Sequence, residues 1–247
     1  MRDRRWLIYV AAGLLGLSAA TYVLHYFLFH DAYHIFVFMV GDIAFIPIEV
    51  LIVALVIERV LSRHEKRRMM QKLNMVIGTF FSELGTKLLG DLSQCIKDRE
   101  DIQPRLAVNA DWSALDFRKA LSVAEELKPE IDVGKVDLPT LRQQLVDHRA
   151  LLVLLLGNPN LLEHERFTDL LWAIFHLLEE LVARESLDGL PETDRKHIAG
   201  DIRRVFSLLA AEWVHYCRHL KEAYPYIFSI VVRTHPLQAR PDAVVRS

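Results

Sequence analysis

The distribution of apolar and polar positions divides the chain into two unlike parts. Trp6 to Phe29 and Ile35 to Ile57 are almost continuously apolar, whereas beyond Glu58 the apolar residues recur at spacings of three and four. Each run exceeds the length a membrane-spanning helix needs, and the second would measure roughly 35 Å as a helix against a hydrocarbon core of about 30 Å. A backbone in lipid has to satisfy its own polar groups, so both runs are predicted to be helices. The connector His30-Asp31-Ala32-Tyr33-His34 makes them a hairpin.

The stretch from Glu58 to Gln94 starts basic and then carries Ile77, Phe81, Leu84, Leu88 and Leu92 on one stripe, which predicts a long helix or a pair of helices. Lys97 to Asp111, with Pro104, is expected to be a connector. Asp111 or Ser113 is placed to cap a helix reaching about Lys128, and Pro129 to Leu138 forms a second connector. Asp137 and Pro139 open a helix expected to run through Leu156, where Gly157-Asn158-Pro159-Asn160 closes it. Asn160 and Glu163 have the spacing of a capping pair ahead of the stripe Phe167, Leu170, Leu171, Ile174, Leu177, Leu178 and Leu181, whose helix should end near Asp188-Gly189. Pro191 starts the last long helix, with Ile198, Ile202, Val205, Leu209, Trp213, Tyr216 and Leu220 on one face, and Tyr224-Pro225 breaks it. The short links imply antiparallel neighbours. The expected fold is all-α: a transmembrane hairpin over 1–57, a basic juxtamembrane and amphipathic helix over 58–96, and a cytosolic antiparallel helical bundle over 97–247 ending in an aromatic segment.

Basic residues orient the hairpin. Arg2, Arg4 and Arg5 precede the first span, Arg59, Arg63, Lys66, Arg67, Arg68 and Lys72 follow the second, and the connector has neither Lys nor Arg. Both termini are therefore expected on the cytoplasmic side of the cell membrane, with Trp6 and Tyr33 as interfacial anchors and Arg63, Lys66, Arg67 and Arg68 against anionic headgroups. Ser18-Ala19-Ala20 would also suit a signal-peptide cleavage site, but the apolar character continues to Phe29, which favours a retained helix.

Charge and cysteine content narrow the partners. Through Lys72 nine basic residues face six acidic ones, so of the chain's thirty and thirty-two the remainder holds twenty-one against twenty-six. A mildly acidic soluble part argues against nucleic-acid binding. Cys95 and Cys217 have no paired spacing and are expected to be reduced, buried thiols.

Several polar residues stand out as candidate sites. Asp42 and Glu49 are seven apart and share a helix face inside the second span, where each carboxylate costs about 2.5–3.5 kcal/mol if it is central, so they should point away from lipid. They fit either a polar contact that holds hairpins together or an ion pathway. His25, His30, Asp31 and His34 crowd the outer end of the hairpin and suit a metal or a pH-sensing site, against the plainer reading of polar residues at a turn. In the bundle, His164, Glu165, His176, Glu179 and Glu180 lie on the helix before that of His215 and His219, and the histidines with Glu165 are candidate metal ligands between the two, against solvated charges and partly buried histidines. His164-Glu165 lacks the second histidine of a zinc-protease helix, since Thr168 occupies that position. No phosphate-binding glycine loop, nucleophile elbow or dinucleotide fingerprint is present, so no cofactor is expected, nothing names a substrate, and an enzyme is not the favoured reading.

The turn Asn158-Pro159-Asn160-Leu161-Leu162-Glu163-His164-Glu165, the aromatic ending from Tyr224 to Pro236 and the two spans together resemble an uncharacterised family of prokaryotic two-span membrane proteins. That resemblance implies a membrane location and carries no site residues. The sequence points to a membrane-tethered helical interaction or signalling module that contacts lipids and either a protein partner or itself. An oligomeric channel or transporter subunit using the intramembrane acids is the alternative, and a metal-binding helical-bundle enzyme is a third reading.

Overall fold

The structure, a computed structural model, describes residues 2–159, 161, 164–238 and 241–244, and the side chains of residues 2–5, 7 and 63–72 lie outside that description. The expected basic contacts of Arg63, Lys66, Arg67 and Arg68, and the capping pair Asn160 and Glu163, therefore fall outside the described residues. The fold is all-α, with an isolated antiparallel bridge between Ile96 and Ile131 among the loops. It divides into two compact units, residues 1–66 and 67–247.

The first unit is the hairpin of α1 (Arg2–Phe29) and the first part of α2 (Ala32–Phe80). Two stretches, Ile8–Phe29 of 22 residues and Ala32–Ser62 of 31 residues, are long and apolar enough to cross a membrane. The turn is tighter than the five-residue connector expected from hydropathy. His30 adopts a left-handed backbone with φ of 51°, and Asp31 Oδ1 accepts a hydrogen bond from the His34 amide at 3.0 Å, so α2 begins at once. His30 thus lies in the turn and His34 in the first turn of α2.

The second unit is a helical bundle. The end of α2 supplies Leu73, Ile77 and Phe80 to the core, and a π-helical turn at Phe81–Gly85 joins it to α3 (Thr86–Ser93). An extra residue in a helical turn rotates the apolar stripe, so Phe80 and Phe81 are both buried, with ring centroids 5.3 Å apart. Gly85 is required there, because a Cβ would lie 2.6 Å from a Phe80 ring carbon.

The expected connector at Lys97 to Asp111 contains a short helix, α4 (Arg99–Leu106), with Glu100 and Asp101 in its first turn and Pro104 near its end. Ser113 caps α5 (Ala114–Glu125) through a reciprocal capping box with Asp116. The single helix expected from Pro139 to Leu156 is two, α6 (Leu138–Asp147) and α7 (Arg149–Leu156). They part at His148, whose Nδ1 lies 2.8 Å from the Gln144 carbonyl, a local side-chain bond that competes with continued helix.

α8 (Glu165–Val182) stops before Asp188, and α9 (Glu192–Ala223) follows Pro191. The aromatic ending is a helix, α10 (Pro225–Thr234), which Pro225 starts and which buries Phe228 and Val232. α9 is the central element, with α3, α5, α8 and α10 packed against it, while α6 and α7 cover α8. Both long stripes are buried as their spacing requires, except that Tyr216 is only partly covered.

Candidate functional site

α8 and α9 are consecutive and antiparallel, so a residue on one faces a partner whose number falls as the first one rises. Two polar clusters result. Arg166 faces Glu212 and His215, and ten or so residues further along α8 His176 and Glu180 face His197 and Asp201. The sequence grouping of His164, His176, His215 and His219 as one metal site is therefore corrected. With His164 near the level of His215, His176 lies twelve residues along the helix, roughly 18 Å away. Glu165 is exposed in the first turn of α8 and joins neither cluster.

The first cluster lines a pocket of 180 Å³ with Asn74, His164, Arg166, Glu212, His215 and His219. Arg166 is its hub, with Nη1 2.6 Å from His215 Nε2 and 3.2 Å from Glu125 Oε1, and Nε 3.6 Å from Glu212 Oε1. An imidazole nitrogen that receives a guanidinium N–H must be unprotonated. Burial, reinforced by Arg166, His164 and Arg218, pushes the His215 pKa down to about 4. Glu212 is 2% exposed, and burial raises its pKa to about 7 against the opposing pull of Arg166. His164 has a structural role, since its Nδ1 accepts from the Phe167 amide and caps α8. His219 lies 3.1 Å from the Asn74 amide nitrogen. These neutral imidazoles are engaged by an arginine, a backbone amide and an asparagine, which leaves the cluster poorly arranged to hold a cation.

The second cluster is arranged differently. His176 and Glu180 are four apart on α8, and His197 and Asp201 are four apart on α9, so each pair shares a helix face. His176 Nε2 is 3.6 Å from Asp201 Oδ1 and 3.9 Å from Glu180 Oε1, while His197 Nε2 is 3.4 Å from both Glu180 Oε2 and Asp201 Oδ2. Ligand atoms of His176, Glu180 and His197 all lie within 4.8 Å of one another. The imidazoles are half exposed, but Asp201 is 5% exposed, and its buried Oδ2 accepts no hydrogen bond among the described residues. Arg184 steadies the outer edge, donating to Glu180 Oε2 at 2.9 Å and gripping both oxygens of Asp194 at 2.6 and 2.8 Å. Its hydrogen bond to Glu180 is the chief reason that the carboxyl sits below the ordinary range.

Of this cluster the sequence reading named His176 and Glu180 on α8, and not His197 or Asp201 on α9. The signal for the rest was the repeated spacing, His-x-x-x-Glu at 176 and His-x-x-x-Asp at 197, on neighbouring helices. Recognising it required the register between α8 and α9.

In the hairpin, the turn brings His25 and His34 together with parallel rings at 6.4 Å, while His30 lies by Tyr26 at 6.2 Å. Asp31 is engaged in capping α2. Asp42 and Glu49 are both exposed on α2, beside residues that are themselves exposed and apolar.

Comparison with known proteins gives relatives along nearly the whole length. Residues 69–233 match the family described as the C-terminal helical domain of the uncharacterised protein MJ1433, and residues 2–61 match the corresponding N-terminal helical domain. The chain is 38% identical over 236 residues to the uncharacterised protein MJ1433 of Methanocaldococcus jannaschii, covering 96% of this chain and 95% of the relative. No solved structure matches. Both family descriptions name helices, and neither names a ligand or an activity.

Proposed function

We propose that this chain, which belongs to the MJ1433 family, is a multi-pass protein of the cytoplasmic membrane whose helical bundle is held at the inner face as an interaction or signalling module. The observation that carries this reading is the composition of α2. One helix includes both a lipid-length apolar stretch, Ala32–Ser62, and the bundle core residues Leu73, Ile77 and Phe80. Such a helix has reason to exist where a folded domain needs to be tied to a bilayer. The orientation rests on the arginines and lysines outside the two spans and their absence from the turn.

A second reading, a homo-oligomeric pore or transporter subunit, is favoured by the exposure of Asp42 and Glu49 on α2. A carboxylate facing lipid is costly, and another copy of the hairpin would shield it. Cross-linking the native protein in its membrane, followed by mass spectrometry, separates the two. The tether predicts recurrent foreign partners linked to the bundle. Links confined to copies of this chain and concentrated near Asp42 and Glu49 would replace it with the oligomer.

A further inference from the structure

We infer that His176, Glu180, His197 and Asp201 form a binding site for one divalent first-row transition-metal ion of the zinc type, held between α8 and α9. The inference concerns the bundle alone and stands whether or not the hairpin lies in a membrane.

Three observations carry it. The first is spacing. Zinc–nitrogen and zinc–oxygen bonds of about 2.0–2.1 Å place neighbouring ligand atoms of a tetrahedron about 3.3–3.4 Å apart. His176, Glu180 and His197 each bring one ligand atom within 4.8 Å of the other two, and Asp201 adds Oδ1 at 3.6 Å from His176 Nε2 and Oδ2 at 3.4 Å from His197 Nε2, so side-chain rotations that turn one oxygen of each acid inward would close the set around an ion. The second is Asp201, nearly buried, with an oxygen that lacks a hydrogen bond and faces His197 Nε2. A buried carboxylate oxygen of this kind normally has a partner, and a cation supplies one. The third is rigidity. Leu177, Leu181, Ile198 and Ile202 are completely buried beside the four residues, which fixes both helix backbones, and Arg184 orients Glu180 from outside.

The donor set decides the class of ion. Two imidazoles and two carboxylates suit zinc and its first-row neighbours, whereas magnesium and calcium prefer oxygen alone. Simple ion pairing between protonated histidines and the two acids would use the same residues, and the test distinguishes the two.

The full chain in detergent, stripped with chelator and dialysed, is titrated with zinc chloride by calorimetry. His25, His30 and His34 are all replaced by Gln, so that the hairpin imidazoles do not contribute. Saturable binding of one zinc per chain is expected, unaffected by millimolar magnesium, and His176→Gln with His197→Gln should weaken it about 100-fold or more, a change within about threefold overturning the site. Both histidines are half exposed, so the double variant should fold, and circular dichroism checks this. The cobalt(II) form of the hairpin variant gives a readout that needs no change in the bundle. Intense visible bands of four-coordinate cobalt are expected, and the weak spectrum of hydrated cobalt would contradict the inference.

Discussion

Trp213→Ala should lower the unfolding midpoint of the bundle by roughly 6–20 °C, since truncating a buried Trp costs roughly 3–5 kcal/mol and each kcal/mol moves a domain of this size by about 2–4 °C. Trp213 is 1% exposed in the middle of α9, with ring centroids 5.3 Å from Phe81 and 5.6 Å from His235. It therefore touches both the π-helical turn and the C-terminal segment, elements far apart in sequence that would lose a common support. The indole N–H has no hydrogen-bond partner among the described residues, so its burial already carries a cost. Trp213→Phe keeps a ring and removes that donor, and should lose less than half as much. A thiol-reactive dye reports the bundle selectively, because Cys95 and Cys217 are both buried within it. A shift of less than about 2 °C in the alanine variant would mean that the site collapses without a cavity.

Acidification from pH 6.5 to 4 should destabilise the bundle steeply. His235 is 1% exposed, its Nε2 lies 3.1 Å from the Val108 carbonyl, and its Nδ1 accepts from the Leu237 amide at 3.2 Å. That pattern assigns the proton to Nε2 and requires a neutral ring. Burial pushes its pKa down to about 4, as it does for His215, with the hydrogen bond to Val108 opposing the shift. The unfolded chain takes up these protons near pH 6.5, so each histidine contributes stability that is full above that pH and lost as pH falls towards 4. The contribution is on the order of 3 kcal/mol for each. Glu212 acts oppositely. Its folded pKa of about 7 lies above its unfolded value, so stability falls as pH rises from 4.5 to 7. Two histidines outweigh one glutamate, and the maximum should lie near pH 6.5. Midpoints measured across pH 4 to 8 should show this, and His235→Gln should flatten the acid limb. Equal midpoints at pH 4.5 and 6.5 would contradict the burial of neutral imidazoles.

Apolar spacing made the long helices legible. The stripes of α8 and α9 needed only the helical period, and both are buried, with Tyr216 partly covered. Local chemistry that overrides the period was harder to read. The π-helical turn that ends at Gly85 has no signature in the apolar period, and His148 divides α6 from α7 by bonding to the Gln144 carbonyl instead of extending the ladder. The β-branched content of Tyr224 to Pro236 concealed α10, where packing of Phe228 and Val232 decides the conformation. The candidate site was legible only in part, because it joins residues through the register between two helices. His176 and Glu180 were visible on α8, and His197 and Asp201 emerged as their partners once α8 and α9 were aligned.

The central claim, a membrane hairpin with the bundle on the cytoplasmic side, is tested most directly by cysteine accessibility in intact cells. Tyr33 at the turn and Asp188 in the loop before α9 are both exposed, and the native Cys95 and Cys217 are buried, so background labelling should be low. With a membrane-impermeant maleimide, Tyr33→Cys should label from outside, Asp188→Cys should label only after lysis, and the protein should stay with the membranes through an alkaline wash. Labelling of Asp188→Cys in intact cells, or release of the protein by the wash, would contradict the account.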